Sequence, residues 1–85
     1  MVNFLRHSQN INSYLYDKFI EPGKIYEYND FKLTIGENFG LAFTTDGLII
    51  PLTVYSPSVI RTNQISYLTK DEMNDFVNCY KTLTT

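Results

Sequence analysis

Only one cysteine, Cys79, stands in this chain of 85 residues, so no internal disulfide can form. That excludes a disulfide-stapled secreted scaffold and suits a reducing compartment, which makes the cytoplasm the expected location. Histidine is as scarce. With His7 alone, a zinc site would have to recruit carboxylates, and their spacing offers no such set. No cofactor or metal site is therefore expected. Long apolar runs are also missing. The longest strongly apolar stretch, Leu48 to Leu52, is far too short to span a bilayer. Met1 to Asn12 holds no apolar segment of signal-peptide length, and no asparagine begins a glycosylation acceptor. A partnership with membrane is not expected.

Charge of one sign is lacking too. Seven Lys and Arg against nine Asp and Glu leave a net −2. No basic face can be assembled from Arg6, Lys18, Lys24, Lys32, Arg61, Lys70 and Lys81, so nucleic acid is a disfavoured partner. The grouping Asp71, Glu72 and Asp75 is too thin to imitate a nucleic acid and suits a helix N-terminus, where carboxylates favour the helix dipole.

What is present is enough apolar material, 44% of the residues, for the core of one domain spanning residues 1–85. Stability on the order of 5 kcal/mol is expected at this size. Phe, Tyr, Met, Ile, Asn and Lys outnumber Gly, Ala, Arg and Pro by 36 to 10. By the genetic code this bias points to an AT-rich genome, such as a low-GC bacterium or one of its phages.

The chain reads as helix, strands, helix. Ile11, Leu15 and Phe19 recur at four-residue spacing, with Tyr14 beside them, and predict a first helix. Ser8 or Asn10 would cap it, Phe4 and Leu5 would extend it backwards, and Glu21-Pro22-Gly23 would end it. Lys24 to Tyr28 is a short strand rich in β-formers. Phe31, Leu33 and Ile35 alternate with Lys32 and Thr34, and Leu41 and Phe43 repeat the alternation after the turn at Gly36-Glu37-Asn38. Asp46-Gly47 marks a tight primed hairpin turn with Gly47 at positive φ. Leu48, Ile50, Leu52 and Val54 line one face of the next strand. Pro51, lacking an N–H, predicts an edge position or a bulge there. Ser56-Pro57-Ser58 breaks the pattern, and Ile65 to Leu68 is the candidate last strand.

The final segment opens on Thr69-Lys70-Asp71-Glu72, a capping box. Met73, Phe76, Val77, Tyr80 and Leu83 then form the expected core stripe of an amphipathic helix. The fold class is α+β: an N-terminal helix, an antiparallel β-meander of about four strands, and a C-terminal helix packed on the sheet. Both helices are expected on one face, with a small, strongly curved sheet or partly open barrel as the alternative.

Catalytic constellations are hard to build from these residues. Cys79 would need a base, and His7, expected at the surface, is the only imidazole. Cys79 lies one position from the helical stripe and reads as a structural thiol. Gly36 and Gly40 lack the following Gly-Lys-Ser/Thr and helix of a phosphate loop, and read as turn glycines. No carboxylate pair has a plausible partner.

Seven tyrosines without tryptophan are the distinctive feature. Alternation puts Tyr26 and Tyr28 on one strand face, and Tyr55 with Ile49 on the face opposite Val54. A second sheet face carrying Tyr26, Tyr28, Ile49 and Tyr55 is either covered by a helix or offered to a partner. Tyr26, Tyr28 and Tyr55 are therefore the candidate binding residues. The expectation is a small non-enzymatic protein-binding module, in the setting of a phage or mobile element an inhibitor or modulator of a host protein. The alternatives are an enzyme or ligand-binding protein whose site forms at a homodimer interface, and single-stranded nucleic-acid binding through stacked tyrosines.

Overall fold

A computed structural model describes residues 2–63 and 68–84. It contains α1 (Val2–Leu15), β1 (Tyr26–Glu27), β2 (Phe31–Ile35), β3 (Phe39–Thr44), β4 (Ile49–Ser56), β5 (Val59–Thr62) and α2 (Lys70–Thr84). The strands form one antiparallel sheet in sequence order, curled into a half-barrel, with α2 packed on it. The fold is α+β, as the pattern of elements predicts. A fifth strand joins the expected four. β5 follows the two-residue turn Pro57-Ser58, and its β-branched Val59, Ile60 and Thr62 are strand formers. The expected strand at Ile65 to Leu68 falls mostly on residues 64–67, outside the described residues.

The helices lie on opposite faces of the sheet, not on one. Alternation gives β2, β3 and β4 two apolar faces, and each needs cover. On one face Leu33, Ile35, Ala42, Ile50 and Leu52 pack with Ile11 and Leu15 of α1. On the other, Leu41 packs with Cys79 and Leu83 of α2, with Phe43 and Phe76 at the margin. This second cover is why Thr34, expected on a solvated face, is buried.

α1 sits earlier than its spacing suggests. It begins at Val2, so Ser8 and Asn10 are interior residues rather than caps, and it ends at Leu15 instead of Glu21-Pro22-Gly23. Asp17 follows in the left-handed region at φ 58°. Phe19 is consequently 64% exposed, and Ile20 is fully buried in its place, its N–H donating to the Pro57 carbonyl at 2.9 Å. The early start also moves His7 onto the core stripe with Phe4, Ser8, Ile11 and Leu15. His7 is therefore buried, not at the surface.

Pro51 lies in β4, between β3 and β5, and not on an edge. Its carbonyl accepts from Asn63 N–H at 2.8 Å. The nitrogen of a strand residue faces the same way as its carbonyl, so the missing donor points past Thr62, where β5 has ended. The β3–β4 ladder loses nothing. The bulge comes further on, where Tyr55 is the extra residue between Val54 and Ser56.

The β3–β4 turn is longer than a primed two-residue turn. Gly47 N–H donates to Thr44 O at 3.1 Å, and Gly47 alone of the turn has positive φ, at 93°. This is a type I turn closed by a left-handed glycine. At the other end, Thr69 and Glu72 form the expected capping box, with N–H···O distances of 3.0 and 3.2 Å.

α2 is rolled from its expected orientation. Cys79, Leu83 and, in part, Phe76 face the sheet, while Met73, Val77 and Tyr80 are exposed. The roll follows from how the helix is anchored. The Asp75 carboxylate accepts from Asn38 and Phe39 N–H at 2.7 and 2.8 Å, pinning α2 to the β2–β3 turn. Gly36 permits this approach, because a Cβ there would overlap the Asp75 carboxylate.

Candidate functional site

The three candidate tyrosines do not share a face. Tyr26 stands directly opposite Leu33 and packs on the α1-side core. Its hydroxyl accepts from Glu21 N–H at 3.2 Å, which tethers the segment before β1. Tyr55, at the bulge, is 68% exposed and lies on the side away from that core. Tyr28 falls just after β1, where its N–H donates to Phe31 O at 2.9 Å. The strand expected over Lys24 to Tyr28 has shrunk to two residues, yet Tyr28 meets Tyr14 of α1 and Phe31, on the same side as Tyr26.

Tyr28 is the candidate around which other groups converge. Its ring lies 4.8 Å from that of Tyr14 and 5.7 Å from that of Phe31, and Tyr14 meets Phe31 edge-on at 5.4 Å. Tyr14 projects from α1 and Phe31 opens β2, so helix and sheet fix the trio together. Lys18, one turn beyond Tyr14, sets its ammonium 4.3 Å from that ring's centroid, a cation–π contact. Tyr28 nonetheless remains 54% exposed. On one side of it an open cleft of about 290 Å³ is lined by Glu27, Phe31, Lys32, Phe43, Thr44 and Thr45. On the other a cleft of about 360 Å³ is lined by Asn10, Ser13, Tyr14, Asn29, Asp30 and Phe31. The result is a braced aromatic ridge with polar groups on both flanks.

The titratable groups assemble differently. His7 Nε2 lies 3.0 and 3.1 Å from the two carboxylate oxygens of Asp46, and Thr44 Oγ1 donates to the same carboxylate. The Thr44 and His7 hydrogen bonds hold the Asp46 carboxyl below its usual value. His7 Nδ1 and the neighbouring Ser8 Oγ are buried and find no hydrogen-bond partner among the described residues. This cluster ties α1 to the β3–β4 turn. Cys79 is buried, its Sγ 3.7 Å from Phe39 O. Burial pushes its thiol up to about 11, helped by the Asp75 charge. A thiol near that value is about one part in ten thousand thiolate at pH 7, and the thiolate is the nucleophile. Cys79 and His7 sit on helices covering opposite faces of the sheet, so they form no dyad. Among the described residues no group of three or more His, Cys, Asp or Glu side chains is placed to hold a metal ion. No helix among them is long and apolar enough to cross a membrane.

Sequence reasoning missed Met73, Val77 and Tyr80 as surface residues because it gave them to the core. A signal was there. Phe76, Cys79 and Leu83 recur at i, i+3 and i+7, so counting cysteine as apolar yields a second, competing stripe.

A scan of protein-family models, a search of curated proteins and a search of solved structures find no match for this chain.

Proposed function

We propose that the protein is a non-enzymatic protein-binding module that docks its partner on the Tyr28 ridge. One observation carries this reading: Tyr28 is half exposed yet braced by two rings between two open clefts. A tyrosine held in place before binding has little rotamer freedom left to lose, so more of its contact energy appears as affinity. A lone buried thiol suits the cytoplasm, and the coding bias suits a low-GC bacterium or its phage, where the partner would be a host protein to be inhibited or modulated.

The test is a selection of displayed peptides on the immobilised protein, followed by titration of the recovered peptides against variants. Tyr28→Ala should weaken them by about thirtyfold or more, as expected of an anchor residue. The same variant should lose about 1 kcal/mol of stability through its ring contacts and stay folded. Tyr55→Ala, on the far side, should bind as the parent does. Peptides that bind Tyr28→Ala and the parent equally would remove the ridge from the reading.

A further inference from the structure

Resting on that protein-binding reading, we infer that the partner supplies an extended segment that pairs antiparallel with β1 as a sixth strand, its alternate apolar side chains facing Tyr26 and Tyr28. β1 is an edge of the sheet. Tyr28 N–H donates to Phe31 O, and Tyr26 stands opposite Leu33, so the backbone groups of Tyr26 and Tyr28 turn toward β2. Backbone direction alternates along a strand, so the N–H and C=O groups of Ile25 and Glu27 turn outward. Both residues are exposed, and among the described residues nothing bonds to these groups. The opposite edge is closed. Asn63 N–H donates inward to Pro51 O, so β5 directs Thr62 and Ile60 outward. Thr62 N–H is taken by Asn12 Oδ1 of α1 at 3.0 Å, and Ile60 is buried. α1 thus seals β5 and leaves β1 open to extension.

Unpaired backbone groups choose their occupant more narrowly than an apolar surface does. Donors and acceptors at strand spacing fit another extended backbone, whereas a helix has already engaged its own. β1 is short, so about four backbone hydrogen bonds can form, two at each outward residue. These alone hold a peptide weakly, because each replaces hydrogen bonds to water. The side chains must add to them, and they set the sequence. A residue of the added strand opposite Tyr26 points to the face that Tyr26 shares with Tyr28. The next residue but one falls opposite Tyr28, which is 54% exposed and braced by Tyr14 and Phe31. Both positions suit apolar or aromatic side chains, so one segment engages the edge and the ridge together. The residues that alternate with them lie beside Ile25 and Glu27, and their backbones carry the hydrogen bonds. A second copy fits less well. With Tyr26 on the two-fold axis, Lys24 falls opposite Tyr28, and with Glu27 there, two carboxylates meet.

The test uses the full chain and a labelled synthetic peptide of about nine residues that alternates Tyr or Ile with Thr or Lys. It is made unmodified, N-methylated at Thr and Lys, and N-methylated at Tyr and Ile. Fluorescence anisotropy should show the form methylated at Tyr and Ile binding nearly as the unmodified peptide does. The form methylated at Thr and Lys should bind about tenfold less tightly or worse, because its methyl groups replace the donors that face β1. On the protein, Glu27→Pro removes one outward N–H at an edge position that proline tolerates, and should weaken the unmodified peptide by about tenfold. Glu27→Ala keeps the N–H and should not. A urea melt checks that both variants fold, and if Glu27→Pro does not, the methylated peptides decide alone. Equal binding of the two methylated forms, the reverse order, or no binding of the unmodified peptide up to about 0.1 mM overturns the inference. Sedimentation showing a dimer that Glu27→Pro dissociates overturns it in favour of self-pairing. Tyr28→Ala tests the ridge and the methylated peptides test the edge, so the two readings fail separately.

Discussion

The two faces of the sheet are held by different balances of apolar and polar contact. On the α1 side, aliphatic residues from one helix and four strands form a continuous core, and Ile11, Leu33, Ile50 and Leu52 have no exposed surface. On the α2 side the buried cluster among the described residues is smaller, Leu41, Cys79 and Leu83. α2 is positioned instead by polar contacts: the Asp75 carboxylate on two backbone N–H groups and the capping box at its start. A helix anchored through hydrogen bonds at one end need not bury all its apolar residues. That leaves Met73, Val77 and Tyr80 exposed. The α1 side has polar contacts as well: His7 with Asp46 at the tip of the β3–β4 turn, and Asn12, which accepts from Thr62 N–H at 3.0 Å and donates to Thr62 Oγ1 at 3.1 Å.

If this contrast is right, equal truncations on the two faces should have unequal costs. Leu52→Ala should destabilise by about 3–5 kcal/mol, close to the whole stability of a domain this small, since it opens a cavity in the continuous core. Leu83→Ala, in a smaller cluster near a helix end, should cost about 2 kcal/mol. Urea unfolding decides, and equal midpoints for the two would dissolve the contrast. The next largest effect tests the anchor. Asp75→Ala removes a charged acceptor from Asn38 and Phe39 N–H and should cost about 1.5–3 kcal/mol. Gly36→Ala should act alike, because its Cβ would occupy the carboxylate's place. Both should speed hydrogen exchange at Asn38 and Phe39 while leaving the amides of Leu33 and Ile50 protected. Unchanged exchange at Asn38 and Phe39 would mean that Asp75 does not hold α2.

Local signals in the sequence carried the elements, and long-range ones were hidden. β2 is legible because Phe31, Leu33 and Ile35 alternate, and the start of α2 because Thr69 and Glu72 satisfy each other within one turn. The end of α1 is not legible. Leu15 to Phe19 continues the helical spacing, and only the docking of Ile20 against Pro57, 37 residues away, takes the chain out of it. The roll of α2 depends on Asp75 finding the β2–β3 turn, a pairing that no local pattern in the helix announces. The candidate site divides in the same way. Tyr28 could be singled out by composition, but its bracing by Tyr14 requires α1 to cross the sheet beside β2. Placing Tyr55 with it assumed how the faces of β1 and β4 match, and that depends on cross-strand register: Tyr26 stands opposite Leu33 on the α1 side, and on β4 that side belongs to Val54 and not to Tyr55.

The smallest expected effect concerns the seam between His7 and Asp46. The Asp46 carboxyl is held below its ordinary value by its hydrogen bond from Thr44 and then by His7. In the unfolded chain the same carboxyl returns to about 3.9. A group whose folded value is depressed contributes stability that is fully present above its unfolded value and is lost as pH falls through its folded value. Asp46 therefore helps the fold above its ordinary value, and that help is lost as pH falls through its depressed one. Asp46→Asn removes the titration and should flatten the acid limb of the stability curve. His7→Ala removes one of the two depressing contacts and should flatten it less, because Thr44 remains. Urea midpoints at pH 5 and pH 3 measure both. The carboxylate is open to solvent, so salt should shrink the difference. If all three proteins lose stability in parallel between those pH values, the acid sensitivity comes from other carboxylates. The His7–Asp46 contact would then serve only to orient the turn against α1.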